Sequence, residues 1–118
     1  MTDLPENPTY DDKVAQTRRR FVHSLNGRLD AILEAMRSTP QPDSGETQTR
    51  HIHRLLHDMA GNSAMLELEG IESSIRKGLA IAERVDAARQ PLSDTEIKEI
   101  ETIVEQTRSI ATQLEEQY

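Results

Sequence analysis

The stretch HRLLHDMAGNSAML, residues 53–66, decides how this chain is read. Its apolar side chains return with helical spacing: Leu55, Leu56, Met59 and Leu66, with the small Ser63 among them and Ile52 just before. A 3.6-residue period of this kind marks an amphipathic helix that buries one face. At about 100° per residue, His57 points roughly 140° away from Ile52, out of the core. Its neighbours at three and four positions are His53 and Arg54 behind it and Ala60 and Gly61 ahead, with Ala64 one turn further. An exposed helix face normally carries Glu, Lys, Arg or Gln, yet three of these five are Gly or Ala. Alanine alone has ordinary explanations, either close helix–helix packing or its standing as the best helix former. Gly61 costs about 1 kcal/mol in a helix interior. Its presence is accounted for if a partner must approach the backbone closely. The expectation is that His57 is kept sterically open, with Ala60, Gly61 and Ala64 clearing the way.

Outward from this helix, three more segments share its period. Val14, Phe21, Leu25, Leu29, Ile32 and Met36 form one stripe from Tyr10 to about Arg37. Asn26-Gly27 interrupts the helix propensity off that stripe, and a bend is expected there. The breaker STPQPDSGET, residues 38–47, separates this helix from the second, which spans about 47–66. A third helix over about 68–88 uses Ile71, Ile75, Leu79, Ala82 and Val85. Pro91 then stops the chain, Ser93 reads as an N-cap, and Glu96 completes a capping box. The fourth helix carries Ile97, Ile100, Val104, Thr107, Ile110 and Leu114. No segment alternates with the period of a strand. The expected fold is all-α, an antiparallel four-helix bundle with up-down-up-down order over residues 10–118, preceded by a flexible tail over 1–9. An open three-helix arrangement with a detached first helix is the rival.

Composition narrows the function. At 118 residues one domain is expected, large enough to bury a core. There is no cysteine, so disulfides and thiolate chemistry are excluded. The N-terminal stretch MTDLPENPTY lacks the features of a signal peptide, and no apolar run approaches the roughly 20 residues of a membrane span. A cytoplasmic protein away from membranes is expected. The net charge of −7 repels phosphate backbones, and 3% aromatic content leaves few rings to stack on bases, so nucleic acid is not an expected partner. No GxSxG, P-loop or HExxH motif occurs, so an enzyme is not expected and neither is autokinase activity.

The segment around His57 resembles the histidine phosphotransfer (HPt) domain of multistep phosphorelays. That family carries a His-x-x-x-Gly pattern on the second helix of a four-helix bundle, then small residues, then a Leu-Gly pair and the next helix. Here the pattern falls on His57 and Gly61, with Met59 at the apolar second position. Asn62, Ser63 and Ala64 are the small residues, Leu66 is the leucine, and Ile71 and Ile75 match the next helix. The first-helix stretch TRRRFVHSLNGRLDAI, residues 17–32, is also similar. The resemblance implies that His57 is a phosphoacceptor that exchanges phosphate with receiver domains of response regulators or a hybrid sensor kinase. It also implies that the Mg²⁺ sits on the receiver, with no cofactor on this chain, and a monomer is expected. Two positions depart from the pattern. Ala60 stands where the family has a lysine, and Arg54 is the candidate to supply positive charge instead. Glu67 stands where a glycine ends the helix, so either Gly70 does that work or the break is less sharp.

Two other readings compete. His53 and His57 have metal-ligand spacing, but Arg54 follows where a zincin has Glu, His51 points to another face and no third ligand is evident, so no metal is expected. His23 and His51 read as ordinary solvent-facing residues. Alternatively, the chain is a helical adaptor that docks a signalling partner without being phosphorylated.

Overall fold

A computed structural model describes residues 9–38 and 45–118. Four helices account for nearly all of them: α1 (Tyr10–Arg37), α2 (Gln48–Met65), α3 (Glu69–Ala87) and α4 (Asp94–Gln117), with no strand among the described residues. None is long and apolar enough to cross a membrane. The expected tail lies, apart from Thr9, outside the described residues, as does most of the breaker, over 39–44. Thr9 itself belongs to the helix: its hydroxyl accepts from the Asp12 N–H, and the Asp12 carboxylate accepts from the Thr9 N–H. The expected capping box at Ser93 and Glu96 is present at the start of α4. The α1 helix is unbroken across Asn26-Gly27.

Each helix packs against two others in a closed ring: α1 on α2, α2 on α3, α3 on α4 and α4 on α1. The detached first helix is thereby excluded. The ring encloses one core, in which Leu25, Leu29, Ile52, Leu56, Ile71, Ile75, Ile100 and Val104 are wholly buried. Each such side chain contributes about 1.5–3 kcal/mol by leaving water. Val14, Leu55, Leu66, Ile97, Ile110 and Leu114 sit at the margin, half-buried. Contacts between neighbours run in opposite residue order. On α3, Gly70 lies beside Ile110, Ser74 beside Thr107 and Gly78 beside Ile103. On α1, Asn26 reaches Glu115 and Arg108, and Asp30 reaches Arg108.

One buried polar pair ties α3 to α4. The Thr107 hydroxyl donates its single hydrogen to the Ile103 carbonyl at 2.8 Å, so the Ser74 hydroxyl donates to Thr107, at 2.6 Å. Such a pair is satisfied only in one register of the two helices.

The turn between α2 and α3 is sharp, and glycine does not make it. Glu67 adopts the left-handed conformation at φ +59°. The Leu68 N–H returns to the Ser63 carbonyl at 2.8 Å and the Glu67 N–H to the Ala64 carbonyl at 3.2 Å, the bonds of a Schellman cap. Gly70, expected as one possible helix end, instead lies in the first turn of α3, where a Cβ would meet Ile110 at 3.4 Å. Arg89, at φ +56°, ends α3 in the same way, with Gln90 and Arg89 bonding back to Val85 and Asp86.

Candidate functional site

The helix that carries His57 is fastened along its length. At its start the Thr47 hydroxyl caps the Arg50 N–H, and the Gln48 side-chain amide reaches the carbonyls of Ala35, Met36 and Ser38 at the end of α1. At its other end, Arg18 of α1 donates from Nε to the Leu66 carbonyl at 2.9 Å. Along the side facing α3, Leu56 lies within van der Waals reach of Gly78, and the Thr49 hydroxyl donates to the Gln90 carbonyl.

His57 stands on the outer side of this helix with 70% of its side chain exposed. Its Nδ1 is 3.8 Å from Asp58 Oδ1, beyond hydrogen-bond range, so among the described residues no acceptor pins the ring. Gly61, one turn on, has nothing within 4 Å of the position a Cβ would occupy. Ala64 is exposed as well. This side of α2 therefore offers an imidazole above open backbone.

Two flanking residues depart from expectation. Ala60 is 1% exposed and belongs to the core, so it clears no path to His57. It lies about 80° round the helix from Ile52, on the side that α3 covers. The buried arc therefore extends further round the helix towards α3 than the apolar stripe suggests. Arg54 is half-exposed but engaged: its guanidinium meets Glu46 through two bonds of 3.1 Å. That fork holds the Glu46 carboxyl below its ordinary range and raises Arg54. The charge of Arg54 is thus balanced rather than offered to His57.

His53 holds the most developed contacts. Its side chain is 24% exposed, and Nδ1 lies 2.7 Å from Asp86 Oδ2 on α3. Arg50 Nε reaches the same oxygen at 2.8 Å. The hydrogen bond from His53 foremost holds the Asp86 carboxyl below the usual carboxylate range; burial, the next largest effect, opposes it, and the charge of Arg50 adds to the lowering. The His53 and His57 rings meet edge to face with centroids 6.4 Å apart. Sequence reading missed Asp86, whose only local signal is its place beside Val85 at the edge of the α3 stripe. His51 is half-buried, and His23 lies 3.8 Å from Glu115. Among the described residues, no three His, Asp or Glu side chains are gathered to hold a metal ion.

Comparison with known proteins adds no assignment: no family model, curated protein or solved structure matches the chain.

Proposed function

We propose that this protein is a histidine-containing phosphoryl carrier on an antiparallel, up-down-up-down four-helix bundle, with His57 as the acceptor. The opposite residue order of the contacts between neighbouring helices supports the topology. The observation that carries the function is the exposed, unpinned imidazole of His57 above the open backbone of Gly61.

The chemistry needs little more. An imidazole is largely neutral near pH 7 and presents a nucleophilic nitrogen. In His57 that nitrogen is Nε2, since a phosphoryl group on Nδ1 would be the nearer to the Asp58 carboxylate. The Nε2 lone pair attacks the phosphorus of an aspartyl phosphate. The N–P bond forms, the P–O bond breaks, the donor carboxylate leaves, and the Nδ1 proton is released to solvent. The reverse sequence passes the group to a second aspartate. The partners are receiver domains of response regulators and a hybrid sensor kinase, which bring the Mg²⁺. The protein acts as a cytoplasmic monomer without autokinase activity.

The burial of Ala60 and the engagement of Arg54 by Glu46 favour one second reading, an adaptor that docks the same partners unmodified. Incubation with a phosphorylated receiver domain separates the two. A carrier acquires acid-labile, alkali-stable phosphate that His57→Gln abolishes. An adaptor binds the receiver and acquires none.

A further inference from the structure

The permanent charges on the outer side of α2 do not balance at His57. Asp58 places a carboxylate oxygen 3.8 Å from His57 Nδ1, and both side chains are more than half exposed. The cations of the same helix are engaged elsewhere. Arg50 reaches Asp86 at 2.8 Å. Arg54, one turn before Asp58, feels its charge from a distance but forms its two bonds of 3.1 Å with Glu46. Position 60, which lies one turn beyond His57, is a buried alanine. Arg50 with Asp86 and Arg54 with Glu46 each sum to zero, so these groups leave one negative charge, and it is on the residue next to His57.

We propose that Asp58 biases His57 towards giving its phosphoryl group away, so that the protein is a donor to a receiver aspartate rather than a store of phosphate. This deepens the carrier reading and rests on His57 being the phosphoacceptor. A phosphoryl group on Nε2 brings about two negative charges to a ring that had none. Asp58 is fixed beside it by the helix backbone, so the phosphorylated state is raised by repulsion. On transfer the N–P bond breaks, an O–P bond to the receiver carboxylate forms, and the imidazole takes back a proton from solvent. The repulsion is then relieved, which moves the equilibrium towards the receiver. A unit charge and a doubly charged group about 7 Å apart at an exposed surface alter that equilibrium by about 3- to 10-fold at low ionic strength. At about 1 M salt the screening length is about 3 Å, and the effect is nearly abolished.

The test mixes the full chain with a receiver domain carrying radiolabelled aspartyl phosphate. The exchange is quenched once it is complete, and the label on each protein is counted after electrophoresis, at about 0.02 M and about 1 M salt. Asp58→Asn keeps the side-chain shape and removes the charge. At low salt it is expected to raise the ratio of phosphohistidine to aspartyl phosphate by about 3- to 10-fold over wild type, and at high salt by less than about 2-fold. Asp58→Glu keeps the charge and is expected to stay within about 2-fold of wild type at both. An Asp58→Asn ratio equal to wild type at low salt overturns the proposal. So does a shift that salt leaves unchanged, or one that Asp58→Glu shares in full, because a merely structural role produces those. With the phosphate mapped to His57, any of these results removes this inference alone. Absence of phosphate on His57 in the wild type removes the phosphoacceptor reading and this inference with it.

Discussion

Gly61 and Gly27 form a matched pair that separates steric access from helix stability. Both lie inside long helices, both are exposed, and a Cβ at either position meets nothing within 4 Å. Neither has the positive φ that would make a side chain strained. Replacing either with alanine is therefore expected to stabilise the fold by about 1 kcal/mol, and with glutamine by about 0.5 kcal/mol. For a chain of this size, 1 kcal/mol corresponds to a rise of about 3–6 °C in melting temperature. The functional consequences differ. A glutamine at 61 stands one turn from the His57 imidazole, between it and an incoming aspartyl phosphate. Reacting atoms must approach to about 3–3.5 Å, and misplacement by about 1 Å costs about 100-fold. Phosphotransfer by Gly61→Gln is expected to fall by about 10- to 100-fold while its melting temperature rises. Gly27→Gln, on α1, is expected to share the thermal gain with transfer unchanged. The assay is a melting curve by circular dichroism beside a timed transfer from a phosphorylated receiver domain, scaled to folded protein. A lowered melting temperature for Gly61→Gln with normal transfer would make Gly61 a packing residue and refute the steric argument.

Glu67→Gly and Arg89→Gly are each expected to stabilise the protein by about 0.5–1 kcal/mol, since glycine takes the left-handed conformation without the penalty of a Cβ. An unmoved or lowered urea midpoint would contradict this. Ser93→Ala removes the hydroxyl that caps the Glu96 N–H and is expected to cost about 1 kcal/mol by the same measurement. Asp86 has its carboxyl held low in the folded state. Its contribution is therefore fully present above the unfolded value of about 3.9 and is lost as pH falls through the folded value. The stability gap between wild type and Asp86→Asn is expected to be wide at neutral pH and to close below about pH 4, as read from urea midpoints across that range. A gap that widens on acidification would reverse the sign of the argument.

The helices and much of the core were legible in the sequence because the signals are local. A stripe such as Ile71, Ile75, Leu79, Ala82 and Val85 repeats with the helical period, and a capping box such as Ser93 and Glu96 spans three residues. His57 and Gly61 were legible for the same reason, as outward positions on one helix. What escaped depends on a second element. A wheel gives the direction of Ala60 but not the width of the buried arc, which is set by how the neighbouring helices pack against α2. The partner of Arg54 is Glu46, which precedes the N-cap, and the partner of His53 is Asp86, 33 positions away. The left-handed Glu67 carries no composition signal, because its conformation follows from the return bonds of Leu68 and Glu67 to Ser63 and Ala64.

The most direct test of the central claim is to locate the phosphate itself. The protein is phosphorylated by a receiver domain or by phosphoramidate, kept alkaline, cleaved, and read by tandem mass spectrometry. The four histidines, His23, His51, His53 and His57, are distinguishable by fragment mass. The account predicts phosphate on His57 and its disappearance in His57→Gln with the melting temperature retained, because an outward side chain contributes little packing. Phosphate on His53, His51 or His23 instead, or undiminished labelling of His57→Gln, would contradict it.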